Sequence, residues 1–172
     1  MHVDKSLADK SLKVLIVCTG NICRSPTAEA LLRHHLSLAG LDRQVEVDSA
    51  GTDGYHVGEA PSSEAVACAA ARGYDLSGLR ARQLASNDFD DFDLILAMDR
   101  HHLRQLEHRR PKGAACKLAL FLSVLREDRE VQDPYYGGRA DYEHMLEVIE
   151  GAAPAWVEAF KRDCLPGDDP GS

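Results

Sequence analysis

The 172-residue sequence is short of several things, and each shortage excludes a class. No apolar run approaches the ~20 residues that cross a bilayer. Residues 1–10 hold no apolar core of leader length. We therefore expect a soluble, cytoplasmic chain without membrane insertion. Cations are outnumbered, 20 Lys and Arg against 28 Asp and Glu, for a net charge of −8. That excludes general nucleic-acid binding, although a few well-placed donors can still hold an anion. The five cysteines, at 18, 23, 68, 116 and 164, are an odd and scattered set, not a disulfide framework. No second cysteine pair stands at zinc-ligand spacing, and neither G-x4-G-K-[ST] nor G-x-G-x-x-G occurs. No repeat, linker or composition shift divides the chain, and its length suits about one domain.

What is present alternates between two kinds of pattern. Lys13 to Val17 is a continuous apolar run that predicts a buried parallel strand, ending in the turn-like Cys18-Thr19-Gly20-Asn21. Ser25-Pro26 predicts a helix start, with Ser25 as cap and Pro26 in the first position. Ala28, Leu31, Leu32 and Leu36 continue it at helical spacing until Gly40. Gln44 to Asp48 reads as a second strand, 61–72 as a helix, 92–98 as a strand, and 100–109 as a helix. Lys117 to Leu122 fits a fourth strand or a helix. Arg139 to Glu150 predicts a helix broken by Gly151 and Pro154, with a second segment carrying Trp156, Val157 and Phe160. This order implies an α/β fold: a parallel sheet covered by helices on both faces, with ligands at the carboxyl ends of the strands. Cys18, Ser49 and Asp99 all fall there.

The richest segment is Cys18-Thr19-Gly20-Asn21-Ile22-Cys23-Arg24-Ser25. A cysteine at a strand end is followed, six residues on, by an arginine at a helix start. Gly20 and Asn21 tolerate unusual backbone angles, so the loop can curl and turn its N–H groups inward. A helix N-terminus adds free donors and a positive dipole end. The cup formed by residues 18 to 25 suits a tetrahedral oxyanion, with the Arg24 fork on two of its oxygens. The same surroundings favour a thiolate at Cys18, to which Ser25 can donate. A nucleophile beneath a bound phosphoryl group means covalent phosphoryl transfer. The leaving oxygen then needs a proton, and Asp133, held before Pro134, is the best candidate donor.

These segments resemble the low-molecular-weight protein tyrosine phosphatases. The matching runs are VCTGNICRSPTAEA (17–30), DSAGT (48–52), HVG (56–58), ARQL (81–84), LAMD (96–99) and DPYYG (133–137), in family order. The resemblance implies a single domain over 13–163, with 1–12 as an extension and 164–172 as a flexible tail. It implies a four-stranded parallel sheet with the phosphate-binding loop after its first strand, and no metal or organic cofactor. Cys18 would attack phosphorus, Arg24 bind the phosphoryl oxygens, and Asp133 serve as general acid and then base. Asn21, Ser25 and Ser49 would support the loop by hydrogen bonds. Thr19, Gly20, Ile22 and Cys23 complete the cup, and Tyr55 and Tyr135 should wall its mouth. Cys23, five residues from Cys18, would close a protective disulfide on oxidation. The expected partner is a phosphotyrosine-containing protein, such as a bacterial tyrosine kinase or its targets.

The sequence departs from the family pattern at three places. Leu79 replaces a histidine of the loop network, His102 an asparagine, and Tyr55 a tryptophan. The histidines at 34, 35, 101, 102 and 108 read as helix-surface residues, Asp88 to Asp93 as a solvated strand entry, and Trp156 as core. The alternative on this fold is an arsenate reductase, whose relay needs further thiols, yet residues 69–115 hold no cysteine. A phosphate-binding module without turnover would be expected to lack Cys18, Arg24 or Asp133.

Overall fold

The computed structural model describes residues 11–127 and 129–164. Residues 1–10 and 165–172, most of the expected extension and tail, lie outside the described residues. Four parallel strands, β1 (Leu12–Cys18), β2 (Val45–Gly51), β3 (Leu94–Ala97) and β4 (Lys117–Leu120), form one sheet in the order β2-β1-β3-β4. β1 is central because Val14 to Val17 are fully buried on both faces, as a continuous apolar run requires. Its pairing with β2 runs from Leu12 opposite Val45 to Cys18 opposite Gly51. Helices α1 (Arg24–Leu38), α2 (Ser63–Ala71), α3 (Asp88–Asp91), α4 (Arg100–Arg109) and α5 (Arg139–Cys164) complete the fold, with a 3-10 turn at Phe121–Leu125. One face of the sheet packs Val14 and Ile16 against Leu31, Leu32, Ile149 and Phe160. The other packs Leu15, Val17 and Ile95 against Phe89 and Leu106. The α/β sandwich expected from the alternating pattern is therefore the one observed.

Several local expectations are corrected. α1 begins at Arg24 with Cys23 as its N-cap, and no side chain caps it. Ser25 is engaged with Asn21 and Cys18 instead. Pro26 then sits third in the helix, still in the first turn, where no intrahelical N–H is missed. Ser49 lies within β2, which continues to Gly51. The strand predicted over 92–98 is confined to 94–97, because residues 88–91 form α3. Asp88 is no solvated residue: it is buried and takes both arms of Arg82 at 3.0 and 3.1 Å. Lys117–Leu120 is the strand of the two readings, followed directly by the 3-10 turn.

α5 runs unbroken from Arg139 to Cys164 through Gly151 and Pro154. Its apolar stripe, Tyr142, Met145, Ile149, Ala153, Trp156 and Phe160, keeps helical spacing across both breakers and is buried. A proline costs an interior helix ~3 kcal/mol. Each large side chain buried beyond it contributes ~1.5–3 kcal/mol, so Trp156, Val157 and Phe160 outweigh the break. Gly151 and Pro154 lie on the exposed side. Trp156 is core, its indole N–H donating to the Phe121 carbonyl at 2.8 Å.

Candidate active site

β1 delivers Cys18 to the carboxyl edge of the sheet, and the chain then curls through 19–23 into α1. The carbonyls of this loop are taken from outside. Thr52 N–H donates to Cys18 O at 2.8 Å, Asp53 N–H to Thr19 O at 3.0 Å, and Ser62 N–H to Ile22 O at 2.9 Å. Thr27 holds Cys23 O through its hydroxyl at 2.7 Å. In a trans peptide the C=O of one residue opposes the N–H of the next. Outward carbonyls at 18, 19, 22 and 23 therefore turn the N–H groups of 19, 20, 23 and 24 into the cup. Asn21 makes the reversal at φ +61°, a left-handed angle that asparagine tolerates.

The loop is closely backed. A Cβ at Gly51 would fall 2.6 Å from Thr19 O, and one at Gly20 would fall 2.9 Å from the His56 ring. Gly51 needs glycine for space rather than for angle, because backbone atoms surround it; at Gly20 the His56 ring would have to shift. Asn21 spends its amide fully: Nδ2 donates to Ser25 Oγ at 2.8 Å and Ser49 Oγ at 2.9 Å, while Oδ1 accepts from Arg82 N–H at 2.9 Å. Ser25 Oγ, already accepting from Asn21, has its own proton for Cys18 Sγ at 2.9 Å. Ser49 Oγ donates onward to Glu29 Oε1 at 2.6 Å. Burial pushes the Glu29 carboxyl up, partly offset by Ser49 and by Arg33 at 2.8 Å. The departure at Leu79 thus leaves the network intact, closed by the backbone of Arg82. Leu79 packs against the core.

The cleft above the cup holds about 250 Å3. Cys18 and Arg24, 3% and 4% exposed, form its floor with Thr19, Gly20, Ile22 and Cys23. Asp133 overhangs it, its side chain 47% exposed, with Oδ2 3.7 Å from Arg24 Nη2. Its other oxygen accepts from Tyr135 N–H at 3.1 Å, which fixes the carboxyl at the turn. Tyr55 and Tyr135 line the mouth. The side chains of Asn21, Ser25 and Ser49 stand behind the wall. A hollow of about 810 Å3 lies elsewhere, between Leu12, Phe89 and Trp156, away from every one of these groups.

Four further residues take part. His56 and Tyr136 also line the cleft. Asp99, just past β3, binds Arg24 Nη1 at 2.9 Å and caps α4 by accepting from His102 N–H at 2.9 Å. Burial works to raise the Asp99 carboxyl, but the His102 N–H and Arg24 bring it below the usual range. His102 is the clear correction among the histidines: it is 0% exposed. Its Nε2 lies 2.7 Å from Thr19 Oγ1. Its Nδ1 lies 3.0 Å from Asp99 Oδ1, at an angle that makes no hydrogen bond. Burial drives its pKa down to about 4, so the ring is neutral at working pH. Only its place at α4's third position, turned back toward β1, could have shown this in the sequence.

Cys23 is a free thiol 3.5 Å from Ser62 Oγ and 3.7 Å from Tyr142 Oη, and burial pushes its pKa up. Cys68 and Cys116 are buried in the cores on opposite faces of the sheet and do not line the cleft.

Several known proteins resemble this chain over most of its length. The low-molecular-weight protein-tyrosine-phosphatase of Streptomyces coelicolor is 44% identical over 154 residues, 87% of this chain and 93% of that one. A protein tyrosine phosphatase from Entamoeba histolytica, solved with Hepes in its active site, superposes with a TM-score of 0.84 at 34% identity, covering 90% and 100% of the two chains. Vibrio vulnificus Wzb in complex with benzylphosphonate gives 0.76 at 29% identity, covering 86% and 98%. The family model described as low molecular weight phosphotyrosine protein phosphatase matches residues 13–165, and the chain belongs to that family of enzymes.

Proposed function

We propose that Cys18, Arg24 and Asp133 carry out the phosphatase reaction on phosphotyrosine in proteins. The observation that supports this most is the stacking of three groups in one cleft. A thiol receives a hydroxyl proton at 2.9 Å, an arginine lies beside it on the floor, and a carboxyl hangs 3.7 Å above that arginine. Cys18 Sγ, as thiolate, attacks phosphorus while the P–O bond to the aryl group breaks. Asp133 gives its proton to the departing phenoxide. Inward N–H groups and Arg24 hold the three equatorial oxygens as charge spreads over them. Water then attacks the phosphocysteine, Asp133 takes a proton from it, and the S–P bond breaks to restore the thiolate and release phosphate.

The cleft's aromatic mouth favours a phenyl ring carrying the phosphoryl group, as benzylphosphonate does in Wzb. Its substrates are phosphoproteins, and a bacterial tyrosine kinase or its targets is the partner we infer. The catalytic unit is 13–163, acting in the cytoplasm. Among the described residues no helix is long and apolar enough to cross a membrane.

The test is steady-state hydrolysis of p-nitrophenyl phosphate and a phosphotyrosine peptide, with phosphoserine and arsenate as controls. Both aryl phosphates should turn over, and Cys18→Ser should abolish this without unfolding the chain. Reduction of arsenate, or turnover by verified Cys18→Ser, overturns the reading.

A further inference from the structure

Among the described residues His102 is the most completely buried histidine. It reaches the phosphate loop from an element 83 residues away, at the one loop residue, Thr19, that directly follows the nucleophile. Its other side rests against Asp99, whose second oxygen holds Arg24. A chain of contacts therefore runs Thr19–His102–Asp99–Arg24, joining the first half of the cup to the guanidinium at its end. The network Cys18–Ser25–Asn21–Ser49–Glu29 supports the loop from the opposite side and shares no member with it.

We propose that His102 is a positioning residue, which sets the Thr19 side of the phosphate loop relative to Arg24. This rests on the phosphatase reading above and concerns how its oxyanion cup keeps its shape. The ring has to be neutral to do so. Nδ1 lies 3.0 Å from the Asp99 carboxylate, too bent for a hydrogen bond, but that negative charge still favours the proton on Nδ1 over Nε2. Nε2 is then an acceptor, and the Thr19 hydroxyl donates to it. That bond fixes the rotamer of Thr19, and with it the peptide whose N–H points into the cup. An imidazolium would instead present two donors, take Thr19 as acceptor, and set a cation beside Arg24.

Two conservative replacements separate the contacts. The amide of glutamine reaches the place of Nε2, whereas that of asparagine reaches only the place of Nδ1. His102→Gln should restore binding of inorganic phosphate as a competitive inhibitor. His102→Asn and His102→Ala should weaken it about fivefold, the size of one hydrogen bond. KM for p-nitrophenyl phosphate should rise with it more than kcat falls. Thr19→Val, which keeps the side-chain shape, should give the same loss. His102→Ala in that background should add none.

Thermal unfolding of each variant keeps a folding defect distinct from a loss of phosphate affinity. Glutamine no better than alanine, or additive losses in the double variant, overturns the proposal. Turnover by Cys18→Ser would instead sink the phosphatase reading and leave the Thr19 coupling in phosphate binding as it is.

Discussion

Nη1 of Arg24 lies 2.9 Å from Oδ2 of Asp99, a residue 75 positions further along the chain. The same Nη1 donates to the Val131 carbonyl at 3.0 Å, two residues before Asp133. Arg24 is thus held from one side by the end of β3 and from the other by the loop that carries Asp133. Its Nη2 is left nearest the cleft, towards Asp133. Asp99→Asn keeps the shape but removes the charge that aims the guanidinium. A charged hydrogen bond contributes ~1.5–3 kcal/mol, so kcat/KM for aryl phosphate should fall by about tenfold or more. Steady-state kinetics on p-nitrophenyl phosphate checks this, and an unchanged value would mean the fork is set by the loop alone.

Asp133→Asn should slow turnover most where the leaving group is basic. Phenyl phosphate should lose by about 10²–10⁴-fold, the usual weight of a positioned acid. p-Nitrophenyl phosphate should lose much less. The pH dependence that requires a protonated carboxyl should vanish with it. A leaving-group series measured across pH decides the matter, and an unaltered slope would place the acid elsewhere.

Tyr55 is 79% exposed, yet it borders the cleft opposite Tyr135, whose ring centroid is 6.1 Å from that of His56. Large exposed rings flanking a polar floor are poised to stack on a substrate ring. Tyr55→Ala and Tyr135→Ala should each lower kcat/KM for a phosphotyrosine peptide by about fivefold, equivalent to ~1 kcal/mol of aromatic contact. Inhibition by inorganic phosphate, which has no ring, should stay as it is. Equal losses of both would make these tyrosines loop supports.

His102 also gives the fold a pH signature. The unfolded ring protonates near the ordinary 6.5, the folded one only near 4, against burial and the nearby Arg24 and His101, with Asp99 and Asp133 pulling the other way. Between these values the unfolded chain binds the extra proton, so stability falls as pH drops through that window. The ring alone contributes at most about 3 kcal/mol to this slope. Denaturant unfolding at pH 4.5 and 7 should show a steeper loss in the wild type than in His102→Gln.

Cys23 shares the cleft floor with Cys18 but is bonded to Ser62 and Tyr142. Peroxide would convert the Cys18 thiolate to sulfenic acid, and the Cys23 thiol would then form the disulfide with loss of water. Mass spectrometry after brief peroxide should find the 18–23 link. Cys23→Ser should recover less activity on adding thiol, and equal recovery would leave Cys23 a packing residue.

The parts of the site legible in the sequence are those that lie within one short stretch. Residues 18–25 carry the proposed nucleophile, the cup and the arginine together, because a strand end, a tight loop and a helix start are all local signals. The other supports come from Asp99, His102 and Arg82, and their contacts span 61 to 83 residues. No periodicity encodes such distances. A charged residue just past a strand, or a histidine in a helix's first turn, reads as solvated until the turn is seen to face the neighbouring strand. Asp88 is hidden for another reason: its partner Arg82 lies only six residues before it, but the irregular turn that brings the two together leaves no periodic pattern. Pro154 is the opposite case: a local rule is overruled by the burial of residues on its far side.

Gly51 pairs with Cys18 at the last rung of β1 and β2, and the next two residues of that strand's exit donate to the loop's first carbonyls. Two of the loop's carbonyl contacts therefore form only once β1 and β2 have met across the α1 crossover. Such a non-local parallel pairing is slow to form compared with a helix. On refolding from denaturant, helical signal should return before phosphate binding does. Gly51→Ala, whose added carbon would meet Thr19 O, should retard the second step while sparing the first.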